Sequence, residues 1–220
     1  GAGQGAGQGA GQGAGQGAAW VRPWPRTVDP ARLSPDDAWI ALRSGSGVVL
    51  TNARTGAQQS LADTGAGLTR HFVFTGPDRL VVARAHDSKH TLELWDLSAS
   101  QLVVSRPSLA VSALAFLPDS GQLAVGSHRG TLSLHHPSTL EAQRTLGDPA
   151  LRNPGGSFVF KNDEAVAQIA RVPGTNAILA LPGHDVPADD RALKWIELES
   201  GEARPLVQLR QPVSSMAVSG

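Results

Sequence analysis

The sequence predicts an all-β protein: a β-propeller segment of four antiparallel four-stranded blades, followed by one strand of a fifth. Three observations carry this expectation. Residues 111–146, VSALAFLPDSGQLAVGSHRGTLSLHHPSTLEAQRTL, hold four short apolar or alternating runs separated by turn-forming residues, which is the pattern of an antiparallel meander. The unit recurs, with Pro35, Pro77, Pro118 and Pro173 in one equivalent turn, 42, 41 and 55 residues apart. A period near 40 with strands in every repeat points to a propeller rather than a helical solenoid. Finally, the second run of each unit is continuously apolar (Trp39 to Leu42, Leu80 to Ala83, Leu123 to Val125, Ala177 to Ala180), as expected of strands covered on both faces.

Taken in order, residues 1–18 repeat GAGQ four times and carry no charge, aromatic or branched side chain, so nothing offsets the entropy of ordering them. They read as a flexible linker whose ends lie on the order of 23 Å apart, tethering the array to a domain upstream or forming an added expression segment. In residues 19–29, Trp20-Val21-Arg22-Pro23-Trp24-Pro25 reads as a lead-in or edge strand, since its two prolines forbid a helix or a central strand. Blades are expected at about 30–65, 66–107, 108–148 and 149–209, with a partial strand at 210–220. The third strands alternate, with Val48 and Leu50, Leu92 and Leu94, Leu132 and Leu134, and Leu193 and Trp195 in matching columns. Small and φ-permissive residues follow them, as hairpins require.

In the second unit, Leu94-Trp95-Asp96 closes the third strand, and LAFLPDSGQLAVGSHRGTLSLHHPSTLE runs from a first strand to a third-strand turn. These stretches resemble WD40 repeats, with quinoprotein-like and TolB-like propellers sharing the Pro-Asp turn. The motif is degenerate: the Trp-Asp slot holds Thr51-Asn52, His135-His136 and Ile196-Glu197 elsewhere, and no Gly-His precedes a first strand. The family's buried Asp-His-Ser-Trp network is thus not assembled. The resemblance implies a seven-bladed ring. Four units and a strand are therefore expected to be a piece of a longer array, unless the chain closes as a small ring or two chains complete one ring.

Composition limits the function. Nineteen Lys and Arg balance nineteen Asp and Glu, leaving no net basic field for a nucleic acid backbone. Without cysteine there is no disulfide, thiolate metal site or Cys nucleophile. No apolar run is long enough to span a bilayer, so no membrane partner is expected and a cytoplasmic location is. Ser44-Gly45-Ser46-Gly47 lacks the Gly-Lys-Ser/Thr of a phosphate loop, and no Gly-x-Ser-x-Gly elbow occurs.

The connections between second and third strands emerge on one rim of a propeller. They place there His86, Asp87, His90, His128 and Arg129, and, in the longer loop of the fourth unit, His184, Asp185, Asp189, Asp190 and Arg191. Imidazole and carboxylate are metal ligands and acid–base groups, but no ligand spacing is present, and polar rim loops are the rule because they face water. These residues are therefore read as a partner-binding rim, with no catalytic residue, metal or cofactor assigned. His135 and His136 are read as structural, one packed and one in the turn. The expected function is a non-catalytic scaffolding module that binds a protein or peptide and is tethered to an effector domain, as the sensory ends of bacterial signalling proteins are in the family it resembles. An enzyme or a small-ligand or metal sensor using the rim His and Asp residues is the alternative.

Overall fold

The computed structural model describes residues 31–61, 67–153, 156–158, 165–183 and 191–211, together with 213, 216 and 218. The linker at 1–18, the lead-in at 19–29 and most of the expected strand at 210–220 lie outside them. Four four-stranded antiparallel sheets follow one another along the chain, each a meander with its strands in sequence order. Blade 1 comprises β1 (Arg32–Leu33), β2 (Trp39–Ser44), β3 (Gly47–Asn52) and β4 (Gln58–Ser60). Blade 2 comprises β5 (Leu68–Gly76), β6 (Arg79–His86), β7 (Lys89–Asp96) and β8 (Gln101–Pro107). Blade 3 comprises β9 (Val111–Leu117), β10 (Gln122–Ser127), β11 (Leu132–His135) and β12 (Ala142–Leu146). A separate hairpin, β13 (Asp148–Asn153) and β14 (Gly156–Phe158), precedes blade 4, made of β15 (Val166–Arg171), β16 (Ala177–Pro182), β17 (Ala192–Glu197) and β18 (Ala203–Gln208). No helix of the described residues is long and apolar enough to cross a membrane.

Local chemistry sets the turns. In blade 1, Ser34 Oγ donates to Asp36 Oδ1 at 2.6 Å and accepts the Trp39 amide at 2.9 Å, while Asp37 takes a positive φ of 57°. Gly121 and Gly174 supply the left-handed backbone in the equivalent turns of blades 3 and 4, at φ 61° and 71°. After the third strands, the second residue of the Trp-Asp slot caps the hairpin in three blades. Asn52 Oδ1 accepts the Arg54 and Thr55 amides at 3.0 and 2.9 Å, Asp96 Oδ1 accepts the Ala99 amide at 3.1 Å, and His136 Nδ1 accepts the Ser138 amide at 3.2 Å. The slot survives as a turn cap with three different acceptors.

The core is divided into three interfaces between blades. Ala41, Val48 and Leu50 of blade 1 meet Phe72, Phe74, Leu80, Val82 and Trp95 of blade 2. Val81, Ala83, Leu92 and Leu94 leave the opposite face of blade 2 to meet Leu114, Leu123 and Val125 of blade 3. Ala113, Ala124, Leu132 and Leu134 of blade 3 then pack on Val166, Ile169, Ile178 and Ile196 of blade 4. Successive side chains of a strand point to opposite faces, so each interior sheet serves two neighbours. In blade 1, Ile40 and Leu42 are only half-buried, because no described sheet covers that face. Among the described residues no strand joins blade 4 to blade 1.

Polar ties repeat from blade to blade. The fourth strand of each of the first three blades reaches the outer hairpin of the next: Gln59 to Ser100, Arg106 to the Thr139 carbonyl and Glu141 at 3.2 and 2.7 Å, and Arg144 to the Leu198 and Glu199 carbonyls at 3.1 and 2.6 Å. Blades 1 and 2 share a buried network. The Ser46 carbonyl accepts the Thr69 amide and hydroxyl at 2.9 and 2.8 Å, and Arg84 pairs with Glu93 at 2.8 Å while the Trp95 indole donates to the same carboxylate at 3.0 Å.

Blade 4 differs from its expected span. Residues 148–158 pair with each other rather than with its sheet, and its first strand starts at Val166. This hairpin accounts for much of the long 55-residue spacing between Pro118 and Pro173.

Gly126 lies at a close approach between blades 3 and 4. A Cβ there would fall 2.8 Å from both Cβ and Cγ1 of Val166 and 3.3 Å from Cβ of Ala113. Gly126→Ala should therefore destabilise the protein by about 1–3 kcal/mol in urea unfolding, and Val166→Ala added to it should cost less than Val166→Ala alone. Unchanged stability of the single variant would show that the blades are not packed this closely.

Candidate functional site

The rim residues stand apart rather than forming a cluster. His86 and Asp87 bracket the β6–β7 turn, with Nε2 and Oδ2 3.4 Å apart and both side chains well exposed. His90 is the second residue of β7, its carbonyl accepting the Ser108 amide at 2.9 Å. His128 and Arg129 occupy the β10–β11 turn, which is tied down by the His128 amide on the Ala110 carbonyl at 2.9 Å and by the Arg129 amide on Ser127 Oγ at 3.2 Å. Arg191 is buried where the chain enters β17, its carbonyl accepting the Leu209 amide at 2.8 Å. His184, Asp185, Asp189 and Asp190 lie outside the described residues. Among the described residues no three His, Asp or Glu side chains are grouped to hold a metal. His135 is held in the fold by Leu140 O at 3.0 Å on Nδ1 and Ser133 Oγ at 2.8 Å on Nε2, and burial lowers its pKa.

The first strands converge elsewhere. β1 contacts β5, β5 contacts β9 and β9 contacts β15, so these strands line the inner side of the array. Together they line a partly open cavity of about 400 Å³, within the range of ligand sites. One part of its wall is cationic, with Arg32 from β1, Arg43 from the end of β2 and Arg70 from β5, and His71 of β5 lies beside them. Another part is apolar, with Leu114 and Phe116 from β9 and Ile169 from β15. Gln168 joins the wall and accepts the Met216 amide at 2.7 Å.

Among the described residues no carboxylate lines this cavity. Burial is the main cause that pushes His71 down to about 4, with the neighbouring His128, Arg32, Arg43 and Arg70 adding to it. At neutral pH its ring is therefore uncharged. Burial also lowers the pKa of Arg32, which remains protonated because guanidinium titrates far above neutrality. The cavity thus presents fixed guanidinium charge beside a neutral imidazole and hydrocarbon, an arrangement suited to holding an anionic group with an apolar neighbour.

Sequence reasoning missed this site, because it followed the rim loops. The available signal was the polar triplet Thr69-Arg70-His71 near the start of a first strand that is otherwise largely apolar, together with Arg32 and Arg43 in the first two strands of blade 1.

The depressed pKa of His71 makes stability depend on pH. Below 6.5 the unfolded chain protonates this histidine, whereas the folded chain resists until about 4. The contribution is complete above 6.5 and is lost as the pH falls from there toward 4. His71→Gln should therefore show a smaller loss of urea stability than the parent between about pH 7 and pH 5. An equal loss in both proteins would show that His71 titrates normally.

No protein-family model matches the sequence, and no curated protein matches it. Solved structures do resemble the fold. Kuenenia stuttgartiensis hydrazine synthase superposes with a TM-score of 0.61 at 16% identity, over 79% of this chain and 46% of that one. The C-terminal WD40 domain of Sif2 superposes with a TM-score of 0.56 at 14% identity, over 80% of this chain and 44% of that one. The chain thus spans less than half the length of either. Four sequential four-stranded blades and these two likenesses together give this chain the fold of a WD40-like β-propeller.

Proposed function

We propose that this protein is a non-catalytic interaction module that holds a protein or peptide in the cavity between its first strands, with the rim turns of blades 2 and 3 around it, and that the Gly-rich segment tethers it to an effector domain. The observation that carries the reading is the cavity itself. It is built from strands of all four blades and combines cationic and apolar walls in a volume suited to a few residues of an extended chain. The likeness to a WD40 domain supports it by analogy of fold. His86 and His128 add exposed polar surface at the rim turns of blades 2 and 3.

Panning a displayed random peptide library against the full chain tests this. Enriched peptides should lose at least about tenfold in affinity, some 1.4 kcal/mol, when Ala167 in the cavity wall is replaced by Trp, with the fold retained by circular dichroism. Failure to enrich any peptide, or enriched peptides indifferent to Ala167→Trp, would overturn the reading.

A further inference from the structure

We propose that Arg32, Arg43 and Arg70 form a seat for a side-chain carboxylate, so that the occupant of the cavity is an acidic peptide carrying Asp or Glu next to an apolar residue. This inference rests on the interaction reading above and specifies its partner.

The three guanidiniums come from β1, β2 and β5, strands of two adjacent blades, and line the same cavity. Four arginines elsewhere in the described structure are matched with acids: Arg79 with Asp96 at 3.1 Å, Arg84 with Glu93 at 2.8 Å, Arg106 with Glu141 at 2.7 Å, and Arg171 with Asp119. Arg32 and Arg70 have no carboxylate partner among the described residues, although the whole chain holds as many acids as bases. Arg43 is oriented by the Thr69 carbonyl, to which its Nη1 donates at 3.4 Å. The charges of Arg32 and Arg70 thus face the cavity without a carboxylate among the described residues, and an incoming carboxylate supplies them with charge-assisted, bidentate hydrogen bonds.

The remaining wall selects the rest of the ligand. Val73, Leu114, Phe116 and Ile169 offer hydrocarbon beside the guanidiniums. A side chain flanking the carboxylate can bury apolar area there, whereas a bare inorganic anion or a sugar–phosphate backbone cannot. The modest volume of about 400 Å³ and the zero net charge of the chain both favour one localised anion over a polyanion. His71 lies among the same charges, so a carboxylate bound there lowers the positive potential at its ring and raises its affinity for a proton.

The test is fluorescence polarisation on the full chain, using short fluorescein-labelled peptides with amidated C-termini in which the central residue, between two leucines, is Glu or Gln. The Glu peptide should bind at least about tenfold more tightly than the Gln peptide, as expected for hydrogen bonds to a charged group. Arg70→Gln and Arg32→Gln should each erase most of that preference, Arg54→Gln in an exposed turn should leave it intact, and the His71 ring should titrate at higher pH in the complex by NMR. Equal binding of both peptides would overturn the carboxylate seat while leaving the interaction module standing; no binding of either, together with failed panning, would remove both. A preference confined to peptides with a free C-terminus would overturn the side-chain assignment, as would tighter binding of a single-stranded oligonucleotide. If a variant fails to fold, the Glu against Gln comparison on the parent protein, with the His71 titration, still decides the question.

Discussion

The structure depends on a single geometric constraint: every interior sheet must bury both faces against different neighbours. The two-residue repeat of the β-strand makes this possible. In β6, Leu80 and Val82 turn toward blade 1 while Val81 and Ala83 turn toward blade 3, and in β7 the adjacent Leu94 and Trp95 part in the same way. Blades stacked like this meet along their first strands, and the cavity forms where those strands draw together. The site is thus a product of packing between sheets and belongs to no one blade.

Polar groups inside the stack are tolerated where they are satisfied. Arg84 and Glu93 are both almost fully buried, and their ion pair is completed by the Trp95 indole and, at a longer 3.4 Å, by the Ser46 carbonyl. Thr69, also buried, is anchored on that same carbonyl. The Asp-His-Ser-Trp network of WD40 repeats is not assembled in the repeat units of this sequence, and the chain joins the β2–β3 turn of blade 1 to blade 2 by its own buried set. Removing one partner would leave a charge unpaired in the core, which makes such a network a strong determinant of how the two blades are arranged. Thr69 immediately precedes Arg70 and His71, so the same contacts fix the start of the strand that presents them to the cavity.

The repeat architecture was legible because each blade carries its own local signals. Turn residues at Pro35, Pro77, Pro118 and Pro173, continuous apolar second strands and alternating third strands all recur within about 40 residues. Features created by distance were not legible. The cavity gathers Arg32, Arg70, Phe116 and Ile169 from four strands, and nothing local to any of them announces the others. The hairpin at 148–158 was absorbed into blade 4, since a short strand pair reads the same whether or not it joins the next sheet. The histidines drew attention to the rim because they are chemically versatile, yet His135 and His136 serve backbone and hydroxyl partners, and His86 and His128 sit on separate turns.

The central claim, that adjacent residues of one strand support opposite neighbours, is tested most directly by native-state hydrogen exchange on Val81→Ala and Val82→Ala. Both side chains are fully buried, and each replacement leaves a small cavity. Val82→Ala should raise exchange in the strands of blade 1 as well as in β6, and Val81→Ala should raise it in blade 3, because protection in a stacked array propagates through nearest-neighbour interfaces. The same exchange pattern in both variants would contradict the account.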